Sequence, residues 1–361
     1  MTHELPFSLP AQVQADLQPS GIVLRGLLNP RGLRFRNDGA LLLVEAGSGD
    51  PAAPFSGRLL QFAPDGAGGF LPPSVIASGF RSMNMQARMC RDEIFGLADV
   101  AAGSGECAGQ WRLSQTDYVD GSRILEIGSA PPETLIRSHG NLNALCYHPQ
   151  RHSWLTVKPD ANQLLEWLPG AAEAVRANLP PLASGQNAVP VNLVYEAGTQ
   201  TVLVSLFSGE LRRDPGKTGI EFEARSGAIV RVDLDDGSVT PVATGLTLPT
   251  GLALTPQGQL LVLELCDDFL EPMPPAGVPT QAWHGGFKRY SGRLLCFDLI
   301  SGQVTALAQQ LDTPSNLCIR GNSVFVSEGM GLPGRPILNA AGTCVPLEGM
   351  VRQITLPARL I

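Results

Sequence analysis

Residues 249–264 read PTGLALTPQGQLLVLE, and near the start of the chain residues 30–45 read PRGLRFRNDGALLLVE. Each opens on Pro, passes through Gly-Leu into a short apolar run, turns at a Gly, and continues through a second apolar run that ends on Glu. From Leu33 to Glu45, and from Leu252 to Glu264, the spacing is 12 residues. Self-similarity of this kind is the signature of a repeat architecture. The unit recurs as Gly32-Leu33, Gly96-Leu97, Ala144-Leu145, Asn192-Leu193, Gly251-Leu252 and Asn316-Leu317. Two residues past the Leu stand Phe35, Tyr147, Tyr195, Leu254 and Ile319, with Asp99 in the second copy. Large apolar groups at every second position mark strands buried between neighbours.

Second strands are expected at 40–45, 153–158, 201–206, 259–264 and 323–328, with a weaker one at 110–114. Third strands begin near 57, 121, 162, 226, 291 and 348. Fourth strands fall at 74–80, 133–138, 238–246 and 303–311, and the third unit's is faintly marked around 173–179. The last unit has no fourth strand of its own, and GIVLRGL (21–27) supplies one. The pattern predicts an all-β fold: a six-bladed β-propeller of four-stranded blades, with the N-terminal strand closing the last blade. Residues 1–18 read as an uncommitted tail and 19–361 as a single propeller domain.

Composition agrees: Gly 40 and Pro 30 among 361 residues supply turns for many short strands. The net charge of −7 argues against nucleic acid as a partner. No stretch of about eighteen apolar residues is present, so no membrane span is expected. Residues 1–21 lack the basic start and apolar segment of a secretion signal. The seven cysteines are odd in number and form no CxxC pair. A cytoplasmic protein with reduced thiols is the expectation. Cys90 and Cys107 flank one inner strand and would pair only in an oxidising compartment.

Strands within a blade alternate in direction, so links from second to third strands share a face with links between blades. These are the long ones: 46–56, 206–225, 265–290 and 329–347. The other face has tight turns such as 36–39 and 255–258. Variable loops on a rigid frame carry function, which places the expected site on the long-loop face around the central channel. Glu45, Glu264 and Glu328 end second strands there, in units that are neighbours around a closed ring. Such a sector suits Ca²⁺ or another divalent cation, or an acid–base pair; equally, each is an end-of-strand acid neutralised by Arg31 or backbone N–H groups.

Asp99 stands where its column is otherwise apolar, so it needs a partner or a raised pKa; it is either a catalytic acid or base, or a structural hydrogen-bonding group. Asn143, Asn192 and Asn316 offer oxygen atoms to a cation or a ligand, or simply suit turns. His139 and His284 are the histidines of the long-loop face and candidate bases. Arg31, Trp283 and Tyr290 are candidate ligand-binding groups. No HExxH, GxSxG, P-loop or strand–helix GxGxxG motif is present.

The stretches NPRGLRFRNDGALLLVEAGSG (29–49), EIFGLADVAAG (93–103), AVPVNLVYEAGTQTVLVSLFSG (188–209), SGAIVRVDLDDGSVTPVATGLTLPTGLAL (226–254) and QLLVLEL (259–265) resemble the ScyD/ScyE family. Those are propellers named from gene clusters for the pigment scytonemin, and the NPRGL…DG pattern is shared with NHL-type and gluconolactonase-like propellers. The resemblance implies a six-bladed fold and a link to natural-product pathways. Many relatives look exported, whereas this N-terminus carries no signal. The lactonase-like propellers hold a divalent cation in the channel, and Glu45, Asn143, Asn192 and Asn316 match that set loosely. The function expected is a small-molecule-binding propeller, as a secondary-metabolite tailoring enzyme with acid–base or cation-assisted chemistry. The alternative is a non-catalytic scaffold offering its loop face to a protein or ligand.

Overall fold

The alternation in QLLVLE already dictates how the sheets stack. Leu260 and Val262 pack into one apolar cluster, while Leu261 and Leu263 pack into another on the opposite face. The strand Leu260–Glu264 is buried along its whole length, as is Leu41–Glu45. A strand covered on both faces belongs to a sheet sandwiched between two others.

The computed structural model describes residues 6–50, 52–81, 93–99, 111–116, 122–127, 133–138, 140–168, 170–214, 217–268, 287–330, 336–338 and 344–361. The protein is an all-β propeller with four-stranded blades. Five blades are each built from one continuous stretch of chain, all antiparallel meanders. Blade one is Pro30–Phe35, Leu41–Glu45, Gly57–Phe62 and Ser74–Phe80. Blade two is Glu93–Asp99, Trp111–Thr116, Ser122–Ile127 and Glu133–Ser138. Blade three is Leu145–His148, Ser153–Lys158, Gln163–Trp167 and Ala174–Asn178. Blade four is Pro190–Glu196, Thr201–Leu206, Gly227–Asp233 and Val239–Leu246. Blade five is Pro249–Leu254, Leu260–Glu264, Gly292–Phe297 and Val304–Leu311. A further sheet joins Asn316–Arg320, Ser323–Glu328 and Gly349–Thr355 to Ser20–Leu27 from the other end of the chain. No helix among the described residues is long and apolar enough to cross a membrane.

The hydrophobic core lies between the sheets. One cluster joins blades three and four through Leu155, Val157, Val202 and Val204. Another joins blade five to the further sheet through Leu261, Leu263, Val324 and Val326, and a third joins that sheet to blade one through Phe325, Val351, Leu41 and Leu43. The Pro and Gly of the repeat meet across these junctions. A Cβ on Gly227, Gly292 or Gly349 would lie 2.5, 2.6 or 2.7 Å from the ring of Pro249, Pro314 or Pro30; Pro249 and Pro30 open the next inner strand and Pro314 lies two residues before one. We predict that Gly292→Ala, which must also crowd Leu265 O at 3.0 Å, destabilises by about 1–3 kcal/mol of overpacking. Urea unfolding monitored by tryptophan fluorescence measures this, and an unchanged midpoint would refute it.

Residues 6–18 are engaged rather than uncommitted. Phe7–Ser8 adds a parallel strand to the outer edge of blade four, and Gln14–Ala15 does the same on blade five. Between them Leu9 is buried among residues of both blades. The segment is a strap across two rims. Its pairing uses backbone groups of two residues at a time, so it leaves no apolar period in the sequence.

Candidate functional site: the long-loop face

The register puts the starts of inner strands and the ends of second strands at one end of each blade: Pro30 faces Glu45, Pro190 faces Leu206 and Pro249 faces Glu264. The long links emerge there. Two of them carry hairpins, Glu210–Asp214 with Lys217–Glu221 and Pro336–Leu338 with Cys344–Pro346.

The three glutamates are all fully buried, at 0% exposure. Glu264 Oε1 accepts the Thr247 N–H at 2.7 Å, and Oε2 accepts Arg293 Nε at 2.8 Å as well as Nη2 of the same guanidinium. Glu45 accepts Leu28 N–H at 2.8 Å and pairs with Arg58. Glu328 accepts Asp312 N–H at 2.7 Å and pairs with Arg352. In every case the backbone donor lies two residues before the position that opens the inner strand or its Pro (Pro30, Pro249, Pro314), on the crossover from the preceding sheet. Each Glu therefore locks a crossover to its own third strand. Burial pushes the carboxyls of Glu264 and Glu328 up, and Arg293 and Arg352 pull them back.

Each acid of the trio is held by its own backbone donor and its own arginine, and among the described residues no group of three or more His, Cys, Asp or Glu side chains is placed to hold a metal ion. The guanidinium paired with Glu45 is that of Arg58 on the third strand, and Arg31 is buried on the inner strand of blade one. The signal was in the repeat: units one and five, which end second strands on Glu, are the units whose third strands open SGRLL (56–60, 291–295).

The asparagines fare likewise. Asn143 Nδ2 donates to Pro190 O at 3.3 Å. Thr250 Oγ1 and Ser315 Oγ, in the same repeat column, donate to Pro314 O and Pro30 O at 3.1 and 2.8 Å. All three are staples to the Pro of the next inner strand. Asn192 Oδ1 and Asn316 Oδ1 each accept the N–H of the following Leu at 2.8 Å, and Asn192 Nδ2 donates to Asn316 Oδ1 at 3.3 Å. That last bond spans blade five, where Gly251 lies so close to Asn316 that a Cβ would stand 3.2 Å from its Cα. Ser205 and Ser327 hydroxyls tie neighbouring inner strands in the same layer, donating to Thr250 O at 3.3 Å and Arg31 O at 2.8 Å. With the oxygens of Glu45, Asn192 and Asn316 committed to the chain's own N–H groups, these residues do not fit a channel cation.

What the long-loop face does bring together is an aromatic cluster. Phe207, Phe287, Leu248, Leu265, Val191 and Cys266 form one buried group, with Phe222, Met330 and Val189 packed on it and partly exposed. Phe222 is central, its ring centroid 5.6 Å from those of both Phe207 and Phe287. Beside it, Arg289 and Asp312 make a buried ion pair, Nε to Oδ1 at 2.9 Å, which also holds Val345 O of the second hairpin segment. The Arg289 guanidinium stacks 4.9 Å over the ring of Tyr290, which is exposed. Of the ligand-binding candidates, Tyr290 is thus at the surface beside this cluster. Asp99 ends the inner strand of blade two, and its side chain lies outside the described part, as do His139, Trp283, His284, Cys90 and Cys107. The described cysteines Cys146, Cys266, Cys296 and Cys318 are free.

No family model matches the chain, and no curated protein matches it as a relative. Solved structures do share the fold. A putative oxidoreductase (glucose dehydrogenase) from Thermus thermophilus superposes with a TM-score of 0.54 at 13% identity, covering 93% of this chain and 99% of that one. A Trichoderma reesei enzyme of carbohydrate-active family AA12 gives 0.54 at 14% identity over 98% and 100%. A protein of unknown function from Bacteroides thetaiotaomicron gives 0.55 at 10% identity over 94% and 73%. At such identities the likeness is one of fold alone.

Proposed function

We propose that the protein binds a small, largely apolar molecule at the long-loop mouth over blades four and five, on a six-bladed ring whose last blade is the further sheet closed by Ser20–Leu27. The observation that carries the site is the Phe207–Phe222–Phe287 cluster, assembled by two links inserted at that end only and left partly open at Phe222 and Met330. Aromatic faces bury large apolar area with specific geometry, and pockets of this make-up suit small ligands. The ring is supported by the apolar clusters that join the further sheet to blade five on one side and blade one on the other.

A catalytic version, as in secondary-metabolite tailoring, rests on Asp99, His139 and His284 alone, because both oxygens of Glu264 are committed to Thr247 and Arg293. Binding is therefore the primary reading. Nile red, a neutral apolar dye, is expected to bind saturably to the native protein. Phe222→Ala should weaken that binding about tenfold or more, the equivalent of losing roughly 1.4 kcal/mol. Absence of saturable binding, or equal binding by the variant, overturns the assignment.

A further inference from the structure

The residues one past each repeat Leu form a layer of the inner strands that the long-loop reading does not use. Arg34, Cys146, Val194 and Ala253 occupy that column in blades one, three, four and five and are partly exposed, while Cys318 of the further sheet is buried. The layer two residues earlier (Gly32, Ala144, Asn192, Gly251 and Asn316) is buried, and the Asn192–Asn316 bond spans it. The exposed parts of Cys146, Val194 and Ala253, which also pack against the clusters between blades, thus lie on the short-turn side of that buried layer.

Arg34 belongs to the same partly exposed column. Its Nη1 donates to Leu33 O at 3.1 Å and to Leu317 O on the inner strand of the further sheet at 3.2 Å. Its charge also acts on the Cys146 thiol of blade three, which burial pushes up and which a Tyr195 backbone hydrogen bond and Arg34 draw back. It acts in the same way on Cys318, whose thiol burial pushes up to about 12. Arg34 thus bridges the inner strands of blade one and the further sheet.

Nearby charges are matched elsewhere: Arg36 pairs with Asp38, and Glu196 with Arg231. Among the described residues Arg34 meets only the two carbonyls, which leaves Nε and Nη2 uncommitted. A half-buried guanidinium without an anion is poorly compensated, and its planar fork matches a carboxylate in a two-point contact.

We propose that the short-turn half of the central channel binds a small carboxylate with a short aliphatic body, gripped by Arg34 and packed against Val194, Ala253 and Cys146. The site is separate from the long-loop mouth and does not rest on the function proposed there.

The test is protection of Cys146 in the full chain. N-ethylmaleimide labelling is followed at that residue by peptide mass spectrometry, with butyrate, butanamide or inorganic phosphate present. Butyrate at ten times its Kd should slow Cys146 labelling roughly tenfold, since only unliganded protein reacts. The neutral isostere butanamide should give no protection. Arg34→Met should abolish the effect of butyrate, and Arg34→Lys should keep a weaker one. No protection by butyrate, or equal protection by butanamide, overturns the proposal in the native protein whether or not the variants fold. Protection by phosphate alone overturns the carboxylate assignment.

Discussion

Arg293→Met is expected to cost about 3–5 kcal/mol, because it strands the Glu264 carboxylate in the interior without its counter-charge. Glu264 is fully buried, whereas the Arg293 side chain keeps 19% exposure. The reverse change, Glu264→Gln, leaves an arginine that can turn to water and a side-chain oxygen that can still accept the Thr247 N–H. It should be clearly milder. The pH dependence follows from the direction of the shift. Burial already raises the Glu264 carboxyl above its ordinary 4.5, and Arg293 opposes this; without Arg293 the folded-state value rises further. A raised folded-state pKa gives stability that is present below the unfolded value and lost as pH rises through the folded one. The deficit of Arg293→Met should therefore be smallest near pH 4 and grow toward neutrality. Denaturant midpoints of both variants across that range decide it. A deficit that is flat with pH would show that the carboxylate finds another partner. Replacing both partners with apolar residues should recover most of the loss.

Removing residues 1–18 is the second large effect. The deletion takes away the burial of Leu9 and the hydrogen bonds Leu9 N–H to Thr244 O, Asp16 N–H to Ala306 O and Gln18 N–H to Leu307 O. It also removes the bond that Arg225 makes to Leu9 O. Full burial of a leucine contributes about 2 kcal/mol, and each hydrogen bond about 1 kcal/mol net. Against the entropy of ordering a short segment, a net loss of about 2–4 kcal/mol is expected. The edges of Val239–Leu246 and Val304–Leu311 would then stand open, and open edges pair with other chains. Light scattering should show concentration-dependent association that the full chain lacks. A truncated protein that stays monomeric with an unchanged unfolding midpoint would mean the strap is dispensable.

The strands were legible because two independent signals agreed at each of them: apolar residues at alternate positions and a Gly or Pro where two sheets crowd together. Leu41 to Val44 illustrates this, since successive side chains fill different inter-sheet clusters. The site was much less legible. A Glu at a strand end reads the same whether it faces a ligand or an arginine, and the arginine here stands on the far side of a long link: Arg58 for Glu45, Arg293 for Glu264. Asn192 and Asn316 misled for a related reason. A side-chain oxygen that caps its own next N–H has the same spacing as one that points at a cation. The mouth cluster was hidden differently, because Phe207, Phe222 and Phe287 come from separate stretches of two links and share no repeat column. Arg34 did fall in a column, but the residues beside it there are small and apolar, so nothing marked it as paired or unpaired.

The pairing of Ser20–Leu27 with Gly349–Thr355 has a kinetic consequence. Arg25 and Glu348, bridged across these strands, are 323 residues apart. Contacts at such separation are slow to form, and here one strand is synthesised more than 300 residues ahead of its partner. Blades one to five can each assemble as their own residues emerge, but Ser20–Leu27 must wait until Gly349–Thr355 has been made. A chain cut short before residue 349 would retain five blades and a strand with nowhere to go, and it would be the species most in need of a chaperone.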